Sequence, residues 1–215
     1  MGIVIFDGLA YGMLLFLIGV GLSITMGLMN FVNLAHGAFA MVGGYVAALA
    51  MSHLHIPFVA SLVLAFVAAA LTGALLEFAF FRRLYRAHPL DHVLLSIGIV
   101  FVFVAGGTYL FGPTMQPFTA PTWLSGQVSL LGMDVGAYRL FLIIVGFAVL
   151  ASLLLLINKT RYGAMVRAAV DNQRVAAGLG VRVDRLFFLT FSFGCGLAGL
   201  GGALGLGMLG LDPSF

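Results

Sequence analysis

Charged residues are scarce in this chain, because Asp, Glu, Lys and Arg together make up 8% of its 215 residues. Hydrophobic residues make up 62%, and the mean hydropathy is +1.17. Soluble globular domains carry about 25% charged residues. The composition therefore excludes a water-soluble globular fold and indicates an integral membrane protein.

Cysteine is almost absent, since Cys195 is the only one. This excludes an intrachain disulfide and any multi-cysteine metal site. No basic residue precedes Arg82, so the apolar amino terminus lacks the positive n-region of a secretory signal peptide. We interpret it as a retained membrane helix. The net charge of +3 is small and its basic residues are clustered, which indicates membrane orientation rather than nucleic-acid binding.

Long apolar runs fill most of the sequence. A membrane-spanning helix needs about 20 apolar residues, whereas the strands of a membrane barrel alternate in apolarity over about ten residues. We therefore predict an all-α, polytopic helical bundle of about six spans, forming a single domain over residues 1–215. The predicted spans are Gly8–Met29, Leu34–Met51, Pro57–Phe81, His92–Phe111, Tyr138–Ile157 and Phe187–Leu209.

The second run is short and contains Gly43 and Gly44. It is compatible with a re-entrant or discontinuous helix as well as with a full crossing, which leaves the side of the amino terminus open. Two helix starts have a local cause. Pro57 suits a first-turn position, and Asp91 is predicted to cap a helix that begins at His92.

Basic residues cluster in two hydrophilic segments. Arg82, Arg83 and Arg86 follow the third run, and six of the ten basic residues lie in 159–185, whereas 112–136 contains no Lys or Arg. The positive-inside rule therefore predicts that both basic segments are cytoplasmic. The outer segment carries Phe118, Trp123 and several prolines, a pattern typical of an interfacial aromatic belt and also compatible with a surface for an external partner.

The longer basic segment, residues 159–186, is predicted to be a cytoplasmic coupling loop. Arg167, Asp171 and Arg174 are spaced by four and three residues, which places them on one face of a short helix. Such a helix can insert into a groove of a partner and transmit its movement to the flanking spans. The alternative is a solvated loop that only sets membrane topology.

Two stretches of this sequence resemble a known family. Arg174-Val175-Ala176, followed by Gly180, is similar to the Glu-Ala-Ala-x-x-x-Gly loop of ATP-binding cassette (ABC) importer permeases, with Arg174 in place of glutamate. Residues 167–169, 180–185 and 187–203 resemble the permeases of the branched-chain amino acid uptake family. Residues 27–39 and 43–45, which include Asn30-Phe31-Val32-Asn33-Leu34-Ala35-His36, are a second match in the same order.

The resemblance implies a permease subunit in a bacterial inner membrane. Its expected partners are ABC ATPase subunits, a second permease that is either related or identical, and an extracytoplasmic solute-binding protein. The implied substrates are aliphatic amino acids, other amino acids, amides or urea. Members of the family usually continue with further spans beyond the region matching Pro213, which suggests a truncated or partial permease. The expected ATPase-docking residues are Arg161, Arg167, Asp171, Arg174 and Gly180.

The sequence itself also favours a separate ATPase. A phosphate-binding loop of the form G-x-x-x-x-G-K-[ST] is missing, because Leu153 and Asn158 occupy the glycine positions before Lys159 and Thr160. We therefore predict a transport subunit that is not an enzyme and needs no cofactor. The alternative is an ion-coupled secondary transporter or a channel for small polar solutes. Such a transporter normally needs ionisable residues inside its spans, and none is evident at mid-membrane.

Two groups of residues inside the spans are further candidates. Asn30, Asn33 and His36 are polar at a membrane boundary, and we predict that they line the transport pathway; interhelical hydrogen bonding is the alternative. The sixth run has small residues at helical spacing, which predicts close helix packing and is equally compatible with a mobile interface. These are Gly194, Ala198, Gly201, Gly202 and Gly205.

The spacing of His88 and His92 near Asp91 is compatible with a metal site. Pro89 lies between the two histidines and the chain has only five, so we prefer a loop-to-helix boundary and predict no metal.

Overall fold

The computed structural model describes residues 1–29, 33–85, 87–112, 118, 121–130 and 133–210. Among these residues, five helical stretches are long and apolar enough to cross a membrane, and a shorter apolar helix covers His36–Ser52. The predicted polytopic helical bundle is confirmed. In chain order the helices are α1 (Gly2–Met29), α2 (His36–Ser52), α3 (Phe58–Leu76), α4 (Arg82–Leu84), α5 (Pro89–Phe111), α6 (Ala137–Lys159), α7 (Arg161–Asp171), α8 (Gln173–Gly178) and α9 (Val183–Leu209).

Two departures from a purely α-helical chain were not predicted. A π-helical turn, Glu77–Phe81, joins α3 to α4. A short antiparallel hairpin, β1 (Gln127–Leu130) and β2 (Met133–Gly136), precedes α6, with Val128 opposite Val135. Strands of four residues are too short to give a recognisable alternation in the sequence.

Two predicted helix starts are wrong by a few residues. Pro57 is the N-cap of α3 and not a first-turn residue. The fifth helix begins at Pro89 rather than His92, and its N-cap is His88. Asp91 still contributes, because its Oδ2 accepts a hydrogen bond from the His88 backbone N–H at 3.1 Å. Proline is favourable at the first helical position, where its missing N–H has no partner to lose.

The two ends of the bundle are distinguished by contacts of α1. Near its start, Asp7 forms an ion pair with Arg139 in the first turn of α6, beside the hairpin. At its other end, the Leu28 carbonyl accepts a hydrogen bond from Gln173 Nε2 in α8 at 3.2 Å. The start of α1 therefore lies at the hairpin end of the bundle, and its last turn lies at the end that carries α7 and α8.

The second helix begins deep inside the bundle. His36 Nε2 lies 2.9 Å from the Ile18 carbonyl oxygen, 11 residues before the last residue of α1. Eleven helical residues correspond to about 16 Å along the helix axis. The helix α2 thus starts part of the way across the bundle. Its 17 residues are fewer than the about 20 that a full crossing requires. The first polar residue of α2 therefore lies at mid-depth, between neighbouring helices.

The last helix, α9, forms the centre of the bundle. In its most apolar window 72% of the residues are buried, against 17–28% for the other four long apolar stretches. Its glycines permit contacts with α1, α2 and α3 at backbone distance. A Cβ on Gly194 would lie 2.8 Å from the Gly21 carbonyl oxygen of α1, and one on Gly202 would overlap the Ala40 carbonyl of α2. Ala198, Gly201 and Gly205 are also buried.

Candidate functional site

The segment between α6 and α9 forms two helices rather than one. Thr160 is the N-cap of α7, and its Oγ1 accepts a hydrogen bond from the Gly163 N–H at 3.1 Å. Asn172 ends α7 in an extended conformation and caps α8, since its Oδ1 accepts from the N–H groups of Arg174 and Val175 at 3.0 and 3.1 Å. The prediction that Arg174 shares one helical face with Arg167 and Asp171 is therefore wrong.

Gly180, one of the predicted docking residues, is needed at the end of α8 because of its backbone conformation. Gly180 has a φ of +89°, in the left-handed region that side chains disfavour. Around it, the Val181 N–H donates to the Ala176 carbonyl at 3.1 Å, which closes the helix. The glycine turns the chain from α8 toward α9, whether or not a partner binds here.

The two helices are amphipathic. Their buried residues are Gly163, Val166, Ala169 and Ala176. The predicted docking side chains Arg161, Arg167, Asp171 and Arg174 are exposed. Exposed apolar side chains lie among these charges: Val170 is 50% exposed, Val175 59% and Leu179 79%. This mixed basic and apolar face of α7 and α8, which we call the docking face, has the composition of a protein-binding surface.

Three side-chain hydrogen bonds attach α7 and α8 to the bundle. The Arg167 guanidinium donates to the Ile157 carbonyl of α6, so this arginine holds α7 in place. Tyr162 Oη lies 2.7 Å from Thr190 Oγ1 of α9, and Gln173 donates to Leu28 of α1. These hydrogen bonds connect α7 and α8 to α1, α6 and α9.

The sequence indicated some of these residues and not others. Thr160 and Asn172 are favoured N-cap types at the start of polar segments, so their roles were detectable. Tyr162 and Gln173 act through partners 28 and 145 residues away, which no local pattern reveals.

Ionisation of Tyr162 gives a testable pH dependence. Burial raises the pKa of this phenol, and its hydrogen bond with Thr190 offsets the effect in part. A group whose pKa is raised on folding stabilises the fold at pH values below its unfolded pKa and loses that contribution as pH rises. We expect the Tm of the wild type to fall more steeply than that of Tyr162→Phe above about pH 10, the ordinary pKa of tyrosine. Parallel pH profiles of Tm, measured in detergent, would contradict this.

Two cavities border the docking face. One of about 620 Å³ lies between the end of α1 and the α7–α8 junction, and it is lined by Gly27, Leu28, Val170, Asp171, Asn172, Gln173 and Arg174. The other, of about 480 Å³, lies between α7 and the start of α9 and includes Tyr162, Leu179 and Leu189. Both are large enough to accept side chains of a partner.

The pathway candidates lie where α2 begins. Asn33 is 2% exposed and His36 is 5% exposed, and both are in the interior between α1 and α2. Asn30 lies outside the described residues. The structure thus brings two of the three predicted side chains together at mid-depth, well away from the docking face.

A buried carboxyl group was not singled out from the sequence. Glu77 is 1% exposed, lies in the π-helical turn and accepts a hydrogen bond from the Tyr85 hydroxyl. Burial raises the pKa of Tyr85, and its bond to Glu77 raises it further, so this hydroxyl stays protonated as a donor. Glu77 lies near the end of the bundle that carries α7 and α8. It borders a cavity of about 330 Å³ that Arg82 and Asp184 also line.

Helix capping accounts for His88, one residue of the histidine pair. His88 Nδ1 accepts from the Leu90 N–H at 3.4 Å as part of the cap of α5. Within the described part of the chain, no three residues of the types His, Cys, Asp and Glu cluster as metal ligands.

Apolar helices around a glycine-rich central helix, with an amphipathic pair of helices at one end, define a multi-pass helical membrane protein. Comparison with protein families identifies the family to which this membrane protein belongs. Residues 4–214 match the family model of the branched-chain amino acid transport system permease component, and the chain belongs to this family.

Curated relatives agree with the family assignment. The chain is 27% identical to the high-affinity branched-chain amino acid transport system permease protein BraD of Pseudomonas aeruginosa, over 94% of this chain and 69% of BraD. It is 27% identical to LivH of Escherichia coli K12 (93% and 68%), and 25% identical to a probable LivH of Methanocaldococcus jannaschii (90% and 62%). No solved structure matches. The prediction of an ABC importer permease is confirmed, and the chain is a transport subunit rather than an enzyme.

Proposed function

We propose that this chain forms part of the translocation pathway of an ATP-driven importer of branched-chain amino acids in a bacterial inner membrane. The substrate class is that named for the relatives BraD and LivH. A second permease, related or identical, completes the pathway, and an extracytoplasmic binding protein delivers the substrate at the hairpin end. Asn33 and His36 contribute to the pathway, because they are a buried polar pair at the mid-depth start of α2.

Residues 159–186 act as the cytoplasmic coupling element. The observation that carries this proposal is the docking face with its three attachments, to α1, α6 and α9. A separate ATPase that closes on ATP pushes α7 and α8, and the attached spans convert that movement into a change of access. Arg161, Asp171 and Arg174 are the proposed contact residues. Arg167 and Gly180 position the segment instead, through the Ile157 carbonyl and the left-handed turn.

The energy source is tested by uptake of labelled leucine in cells whose own leucine importers are deleted and that carry this protein with its partner subunits. We expect uptake to persist when proton and sodium gradients are collapsed by ionophores at constant ATP. It is expected to stop when ATP is depleted. Uptake that follows the ion gradient at constant ATP would contradict the proposal and indicate secondary transport.

A further inference from the structure

A buried donor and a buried acceptor without partners lie together at the start of α2. The Ile18 carbonyl can only accept, so His36 Nε2 carries the proton of that hydrogen bond. In the neutral imidazole, Nδ1 is then an acceptor, and it has no partner among the described residues. Asn33 Oδ1 accepts from the Ala35 N–H at 3.1 Å, whereas its Nδ2 donor also has no partner there.

Orphaned polar atoms are costly in such an interior, because each has lost its hydrogen bonds to water without a replacement. The contact with α1 explains His36 Nε2, and a local hydrogen bond from the Ala35 N–H explains Asn33 Oδ1. Neither explains the other two polar atoms. Asn33 and His36 are only three residues apart, and their orphaned atoms do not bond to each other. A ligand that offers both a donor and an acceptor would satisfy both.

The amino-terminal end of α2 adds a positive partial charge at the same place. This helix has 17 residues, and its N-cap, Ala35, provides no side-chain hydrogen bond to the first turn. The His36 and Ala38 N–H groups already donate to the Asn33 and Ala35 carbonyls at 3.3 and 3.0 Å, so the attraction at this end comes from the helix dipole, which favours a negative group. Gly37 is exposed in this first turn, and a Cβ there would meet nothing within 4 Å, so a ligand can approach the backbone.

We propose that Asn33, His36 and the first turn of α2 bind the two charged groups of a zwitterionic α-amino acid during transport. The carboxylate accepts from Asn33 Nδ2 and lies against the end of α2, and the ammonium donates to His36 Nδ1. This inference rests on the proposed function, because it assigns a binding site to that substrate class. Neither protein side chain is charged, so the site holds the zwitterion weakly, as release during transport requires.

Asn33→Asp tests the carboxylate subsite with little change of shape. Aspartate keeps the oxygen that accepts from the Ala35 N–H but replaces the amide donor with an oxygen that repels a carboxylate. Leucinamide keeps the ammonium and carries a carboxamide that can donate to this oxygen. We expect the ratio of leucine to leucinamide binding to fall at least tenfold in this variant, a reversal that general destabilisation would not produce.

His36→Gln tests the ammonium subsite independently. The glutamine amide can still donate to the Ile18 carbonyl, but it has no acceptor at the position of Nδ1. We expect a loss of at least fivefold in preference for leucine over 4-methylpentanoate, which lacks the amine. Ser96→Ala is the matched control, since Ser96 is fully buried and, among the described residues, its hydroxyl donates only within α5, to the Val93 carbonyl at 2.8 Å. Both ratios are expected to stay unchanged in this control.

Binding is measured by saturation-transfer NMR on the permease assembled with its ATPase in nanodiscs, without the soluble binding protein and with each probe at millimolar concentration. Unchanged ratios in either variant, or no leucine signal from a wild-type complex that imports leucine when the binding protein is added, would overturn the inference. Failure of the proposed function is seen separately, as a wild-type complex that imports no leucine under any of these conditions.

Discussion

A Gly202→Ala variant is expected to lose most of its folded yield. The added Cβ would overlap the Ala40 carbonyl of α2, and both backbones are buried at this crossing, so neither can move without opening the bundle. Overpacking of this kind costs about 1–3 kcal/mol, and more where backbone must shift. For a protein of this size, 2–3 kcal/mol corresponds to a fall in Tm of roughly 5–10 °C.

Thermal unfolding in detergent and the monodisperse fraction on size exclusion measure this effect. Gly98→Ala in α5 is the matched control, because a Cβ there would meet nothing within 4 Å. Alanine is also the better helix former, by about 1 kcal/mol. An equal Tm for the two variants would show that the α2–α9 crossing does not depend on its glycine.

An Arg174→Glu variant is expected to fold normally and to lose at least tenfold in leucine uptake. Its side chain is exposed on the docking face, and no ion pair holds it within the described residues. Exposed substitutions of this kind change stability by about 0.5 kcal/mol or less. Reversing the charge at a contact with a partner, by contrast, replaces attraction by repulsion.

Initial uptake rates at matched membrane abundance give the measurement. Arg83→Glu is the matched control, since Arg83 is exposed in α4, outside α7 and α8, and has the same charge change. Equal losses in both variants would attribute the effect to membrane topology or surface charge instead of the docking face. Equal retention in both would remove Arg174 from the contact.

The sequence predicted the fold largely through hydrophobic runs. In this chain they mark the spans within a few residues, because burial in lipid imposes a strong and local signal. The small-residue pattern of Gly194, Ala198 and Gly202 likewise indicated a closely packed face. It could not indicate which helices pack there, since Gly21 of α1 and Ala40 of α2 are distant in sequence.

The site was less predictable, for physical reasons. The break at Asn172 depends on one side chain that caps α8 in competition with a continuous helix, so spacing alone placed Arg174 on the wrong helix. Arg167 resembled a free docking charge, but its partner is a carbonyl at the end of α6. His36 was identified as polar in an apolar region. Its depth depends on the contact with Ile18, which only the folded chain reveals.

The docking of a separate ATPase on α7 and α8 is tested most directly by affinity purification of the tagged protein with its co-expressed partners, for wild type, Arg174→Glu and Arg83→Glu. We expect an ATP-binding subunit to co-purify with the wild type and with Arg83→Glu, and to be lost or strongly depleted from Arg174→Glu. An ATPase retained equally by all three, or absent from a well-folded wild-type sample, would contradict this account.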